Sequence, residues 1–122
     1  MQAYTALTAT FARLGALEDA SGILGWDTQT QMPDGASETR GEQLAVLSVL
    51  AHEILTDPRN AERFDAAATE ADLGEWERAN LREMRRAYAH AAAVPGDLVA
   101  AASKAATRCE MVWREARRIP GS

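Results

Sequence analysis

Two histidines, one cysteine and eighteen carboxylates are the residues of this 122-residue chain best suited to metal, nucleophilic or acid–base chemistry. His52-Glu53-Ile54-Leu55-Thr56 opens as a His-Glu-x-x-His zinc signature does and fails at its last position. That signature needs two imidazoles one helical turn apart on one face, with the glutamate as general base. Thr56 brings no imidazole, so a zincin-type site is excluded at this place. His90 stands alone in an alanine run and reads as a surface residue rather than a ligand. Cys109 lies in a helical pattern beside Val112 and Trp113; a lone thiol forms no internal disulfide and, once buried, behaves as a small hydrophobe. No His or Asn is spaced to make it a catalytic thiol. The carboxylates mostly cap helices or pair with arginines. No glycine-rich phosphate loop is present, and no serine sits in a nucleophile-elbow context. Read from residues alone, the chain is a helical domain without a recognisable active site.

The elements that would position any such group are helices. Alanine supplies 26 of 122 residues and β-branched residues are few, so helix is favoured almost everywhere. The fold class expected is all-α: an antiparallel bundle of about four to five helices with no sheet, forming one domain over residues 1–122. A formal net charge of -5 argues against a nucleic-acid partner, because neutralising phosphates takes clustered Lys and Arg. The basic stretches Arg82–Arg86 and Arg114–Arg118 fall near predicted helix C-termini, where cations favour the dipole, and read as solvated ends. No signal-peptide pattern and no apolar run of membrane-spanning length occurs, so a cytoplasmic protein without a membrane partner is expected.

Taken in order, Tyr4, Leu7, Phe11, Leu14, Leu17, Ser21 and Leu24 alternate three- and four-residue steps and predict a first helix from about residue 3 to Leu24. Gly15 and Gly22 leave room for another helix to approach, and Gly25 is placed to end the element. Gly25-Trp26-Asp27-Thr28-Gln29-Thr30-Gln31-Met32-Pro33-Asp34-Gly35 is the one long interruption of the helical pattern. Pro33-Asp34-Gly35 is a strong turn signal. Trp26 and Met32 are expected to fold back onto helices and fix the loop, either as a structural plug or as a surface facing substrate or partner. Ser37 caps a second helix reaching about Thr56, and Asp57-Pro58 restarts the chain as cap and first helical residue. The short helix that follows rests on Phe64 and Ala66-Ala67-Ala68. Asp72-Leu73-Gly74-Glu75 resembles a capping box before a helix lined by Leu73, Trp76, Asn80, Leu81, Met84 and Tyr88 and fading near Ala93. After Val94-Pro95-Gly96-Asp97 the last helix carries Leu98, Ala102, Ala105, Cys109, Val112, Trp113 and Ala116, with Glu110 and Arg114 as an i,i+4 pair. Ile119-Pro120-Gly121-Ser122 reads as a frayed end. The three tryptophans fall on loop and helix stripes and are expected in the core.

Beyond these local signals, Leu24-Gly25-Trp26-Asp27-x-x-Thr30-x-Met32-Pro33-x-Gly35-Ala36, followed by Arg40 and Gln43-Leu44, resembles the opening of the carboxypeptidase Taq family of metallocarboxypeptidases. Ala51-His52-Glu53-Ile54-Leu55-Thr56-Asp57-Pro58 continues the likeness. So do Glu77-x-x-Asn80-Leu81-x-Glu83 with Tyr88, Val94-Pro95-x-x-Leu98-Val99, and Trp113-x-x-Ala116-Arg117. The match runs in order across nearly the whole chain and departs at Ile119-Pro120-Gly121-Ser122, where the family continues into much more helix. The resemblance implies largely helical, zinc-type peptidases that remove residues from peptide C-termini with broad preference. It places their metal on a His-Glu-x-x-His pair and a further Glu downstream of the matched region. No cofactor is therefore expected in this chain, although a divalent, zinc-type metal is implied for the full-length family.

What carries over is position rather than catalysis: an N-terminal helical part that packs on the catalytic body and helps wall or support its cleft. On that reading Trp26, Asp27, Thr30, Met32, Pro33 and Arg40 form a family-specific corner, structural or cleft-facing, with Arg40 paired to Asp27. The partner implied is the remainder of the catalytic body. A bare apolar face is expected as well, which would drive self-association into a homodimer at high concentration. The alternative is a free-standing helical interaction module without enzyme activity, binding a helix or peptide in a groove. A small active enzyme would need a metal site that this sequence does not show.

Overall fold

The computed structural model describes residues 1–118 and is all-α. Five helices follow one another, α1 Gln2–Thr30, α2 Ser37–Leu55, α3 Pro58–Ala68, α4 Glu75–Ala92 and α5 Gly96–Arg118, with one 3-10 turn, Asp34–Ala36, before α2. No strand occurs among the described residues. The frayed end expected at Ile119-Pro120-Gly121-Ser122 lies outside them.

The apolar core sits at one end of the molecule. Leu7 of α1, Phe64 and Ala67 of α3, Leu73 of the α3–α4 connection, and Leu81 and Met84 of α4 are buried together, with Tyr4, Phe11 and Tyr88 packed against them. Phe64 is fully buried and tilted against Tyr88 with ring centroids 5.6 Å apart, a favoured arrangement for aromatic quadrupoles. The short α3, poor in large apolar groups, thus supplies the centre of this core.

Helix ends at this pole are satisfied by side chains from elsewhere. Glu70 accepts the backbone N–H of Ala3 at 2.9 Å and of Tyr4 at 3.0 Å, capping α1 across the sequence. Partial burial pushes the Glu70 carboxyl up, but those N–H groups and the Met1 ammonium outweigh it and hold it below its usual range. Asp72 does not form the capping box expected for α4. Gly74 holds the N-cap position, and the Asp72 carboxylate takes the Met1 ammonium at 2.8 Å instead. Buried Asn60 donates to the Ile54 and Leu55 carbonyls, each at 2.9 Å, and so closes α2. His52 Nε2 donates to the Ala91 carbonyl at 2.9 Å and ties α2 to the end of α4. His90 is exposed.

Asp57 caps α3 as its type and position predict, accepting Arg59 N–H at 2.9 Å. The Arg59 guanidinium and backbone N–H hold its carboxyl down to about 2. A depressed folded-state pKa means stability that is present above the unfolded carboxylate value, roughly 3.9, and lost as pH falls through the folded one. Melting temperature measured from pH 5 to pH 2 is expected to fall less steeply for Asp57→Asn, which keeps a capping oxygen but cannot titrate. Superimposable acid limbs for the two proteins would contradict this.

The other pole is built differently. α5 runs antiparallel to α2, since Ser48 meets Ser103 while Gly41 meets Thr107. A Cβ at Gly41 would stand 3.4 Å from the Thr107 methyl, in van der Waals contact, so Gly41 marks where these helices pack together. Gly15 and Gly22, expected to leave room for another helix, have nothing within 4 Å of such a Cβ.

The buried residues of α5 are polar, Thr107 and Arg114, with Val99, Ala100, Ser103, Glu110 and Met111 half-buried beside them. Its apolar stripe, Leu98, Ala102, Ala105, Cys109, Val112, Trp113 and Ala116, is exposed along its length. The face expected to build the core therefore looks away from it, and Cys109 is an exposed thiol. Helical spacing reveals that a stripe exists but not which neighbour it meets. The tryptophans follow suit, with exposures of 58% for Trp26, 87% for Trp76 and 68% for Trp113. Single alanine substitutions at Trp76 or Trp113 are thus expected to change the unfolding free energy of this chain by no more than about 0.5 kcal/mol. A loss of the roughly 3–5 kcal/mol typical of a buried tryptophan, read by urea titration, would contradict the exposed placement.

Candidate functional site: an arginine-held corner after the first helix

The corner between α1 and α2 is where the predicted site residues fall. Gly25 does not end α1; it lies inside the helix, which runs on to Thr30. An interior glycine costs about 1 kcal/mol relative to alanine, and the cations gathered on this helix end offset that. Arg40 Nη1 donates to the Leu24 carbonyl at 2.9 Å, to Asp27 Oδ2 at 3.0 Å and to Thr28 Oγ1 at 3.3 Å. Arg114 donates from Nη1 to the Thr28 carbonyl at 3.2 Å and from Nη2 to the Met32 carbonyl. Arg117 donates to the Gln29 carbonyl at 3.1 Å. Arg114 and Arg117 thus meet carbonyls of the helix end and its exit, where the dipole is negative and the last carbonyls lack helical partners, while Arg40 reaches a carbonyl further back in the helix.

The turn beyond is fastened in the same manner. Pro33 leads into the 3-10 turn, and Asp34 there receives both terminal nitrogens of Arg118, at 2.9 and 3.0 Å. Hydrogen bonding by Arg118, backed by its charge, holds the Asp34 carboxyl below its usual range. Thr28 is fully buried and donates its hydroxyl to the Leu24 carbonyl at 2.8 Å. Met32 is buried to 1% exposure, so of the two bulky residues placed in this stretch it is the one that plugs the corner.

Of the six residues singled out from the sequence, Asp27 and Arg40 pair at 3.0 Å, and Met32 is buried in the same corner. Pro33 starts the turn. Thr30 is exposed and donates to the Trp26 carbonyl at 2.8 Å, while the Trp26 ring stays on the surface instead of folding back. Arg114, expected as a solvated end and as a partner of Glu110, is instead buried and engaged with α1. Glu110 Oε2 is buried without a hydrogen-bond partner. Arg114 lies 86 and 82 positions from the carbonyls it serves, a separation no local pattern reports.

Chemically the corner is a clamp. Every guanidinium described here is committed to a carbonyl or carboxylate, and no nucleophile–base pair lies among these residues. Among the described residues no group of three or more His, Cys, Asp or Glu comes together as a metal site could, so the donor set of residues 1–118 does not fit a metal ion. No helix of the described residues is long and apolar enough to cross a membrane.

The sequence model of the carboxypeptidase Taq (M32) metallopeptidase family matches residues 6–120, nearly the whole chain. The chain belongs to that family. Two curated relatives are similar along most of the chain: thermostable carboxypeptidase 1 of Thermus thermophilus is 35% identical over 113 residues, which are 90% of this chain and 21% of that protein. Thermostable carboxypeptidase 1 of Pyrococcus furiosus is 30% identical over 111 residues, 91% of this chain and 22% of that protein. The chain thus spans about a fifth of the length of the curated relatives it matches. No solved structure matches it significantly.

Proposed function

We propose that this chain is the non-catalytic, N-terminal helical portion of a zinc-type metallocarboxypeptidase that removes C-terminal residues from peptides, and that it supports the cleft of the catalytic body. The observation that carries the reading is the reversed α5, with Thr107 and Arg114 buried and Leu98, Val112 and Trp113 left in solvent. An apolar stripe facing water along a whole helix is an interface in waiting, and the family relatives hold about four-fifths of their length outside the match. The arginine-held corner then serves as a rigid brace: it fixes α1 against α2 and α5 so that α5 presents that stripe at a set angle.

The test is to read the source gene beyond the codon for Ser122. An open frame running into a His-Glu-x-x-His segment supports the proposal, and a stop codon there overturns it. In parallel, the purified 122-residue chain is expected to release no C-terminal residue from peptides in the presence of added zinc. Hydrolysis by the chain alone would overturn the non-catalytic assignment.

A further inference from the structure

The outer side of the α2–α5 pair carries a groove that the corner does not use. Two cavities of about 590 Å³ and 460 Å³ share Glu42 and Lys104 and so run into one another along the pair. Val46, Val49, Leu50 and Val112 line this groove, and Val46, Leu50 and Val112 stand exposed. Its two edges carry opposite charge: Glu38, Glu42 and Glu53 along α2, Lys104 and Arg108 along α5. None of these five side chains takes part in an ion pair among the described residues. From Glu38 to Glu53 the groove follows fifteen helical steps, roughly 22 Å at 1.5 Å per residue.

We infer that this groove is the seat of one amphipathic helix of about four turns, with an apolar stripe, basic residues along the edge over α2 and acidic residues along the edge over α5. A trough between two antiparallel helices is shaped for the ridge of a third, and both α2 and α5 have their backbone hydrogen bonds closed, which leaves no edge for an added strand. The helix belongs to the part of the carboxypeptidase fold that lies outside the matched fifth, so the inference rests on the reading given under Proposed function. A second copy of this chain is the less suitable occupant, because each copy carries a formal charge of -5 and like-charged molecules repel.

The probes are three synthetic 18-residue helical peptides sharing one leucine stripe. One has lysines on one edge and glutamates on the other, one has lysines on both edges, and one has glutamates on both. Titrated by fluorescence anisotropy against the 122-residue chain, the mixed-edge peptide is expected to bind about tenfold more tightly than either other, since like charges across an interface are penalised. Glu42→Lys should weaken the mixed-edge peptide and strengthen the glutamate-edged one, with the helical circular dichroism of the chain unchanged. Equal binding of all three peptides, no binding, or indifference to Glu42→Lys overturns the inference. Sedimentation showing self-association that Glu42→Lys abolishes would assign the groove to a second copy and overturn it too. A stop codon after Ser122 would leave peptide binding intact, so the two failures are distinguishable.

Discussion

Arg114→Ala is expected to lower the unfolding free energy by about 3 kcal/mol, at about 1–3 kcal/mol for each buried polar group left without a partner. The guanidinium serves the Thr28 and Met32 carbonyls together and lies 3.7 Å from Asp34. Truncation strands both carbonyls in a corner whose Thr28 and Met32 side chains are sealed from water. Arg114→Lys should recover less than half of the loss, because an ammonium is a point donor and cannot fork to two carbonyls on separate turns. Urea unfolding followed by circular dichroism measures both variants. A loss below about 1 kcal/mol for Arg114→Ala would mean the contact is no stronger than an exposed ion pair and would refute the clamp.

Phe64→Ala carries the other large effect. The ring is fully buried, faces Tyr88 at 5.6 Å and has the Arg85 guanidinium 5.9 Å above its centroid. Its removal is expected to cost about 3–5 kcal/mol, a large share of the 5–15 kcal/mol that holds a typical domain. Phe64→Leu keeps most of the volume and should cost about half as much or less. An equal loss in the two variants would show that the ring's aromatic contacts, rather than the space it fills, carry the stability.

The sequence spoke clearly wherever a single helix settled the matter. The α1 stripe of Tyr4, Leu7, Phe11, Leu14 and Leu17 is inward-facing as its spacing implies, and Asp57-Pro58 caps α3 as those two residue types dictate. The Asp27–Arg40 pair was legible from the family likeness, within thirteen positions. What stayed hidden were choices made between helices. Trp113 and Val112 mark an apolar stripe on α5 whether it meets α2 or some other body, and only the packing reveals that Thr107 takes the inner place. Arg114 was equally opaque, because an arginine near a helix C-terminus looks the same whether it dangles in water or reaches back to the exit of α1. Gly25 misled for a third reason: glycine permits a helix to stop but does not oblige it to, and here the carbonyls that end α1 are Thr28 and Gln29, met by Arg114 and Arg117.

The uneven distribution of apolar burial has a kinetic side. Phe64, Leu7 and Met84 knit α1, α3 and α4 into one cooperative unit, whereas α5 buries only Thr107 and Arg114. α5 is held instead by its packing on α2 and by its arginines, so its opening has to break polar contacts that the aromatic pole does not depend on. A chain so arranged has one end held by apolar contacts and the other by charged ones.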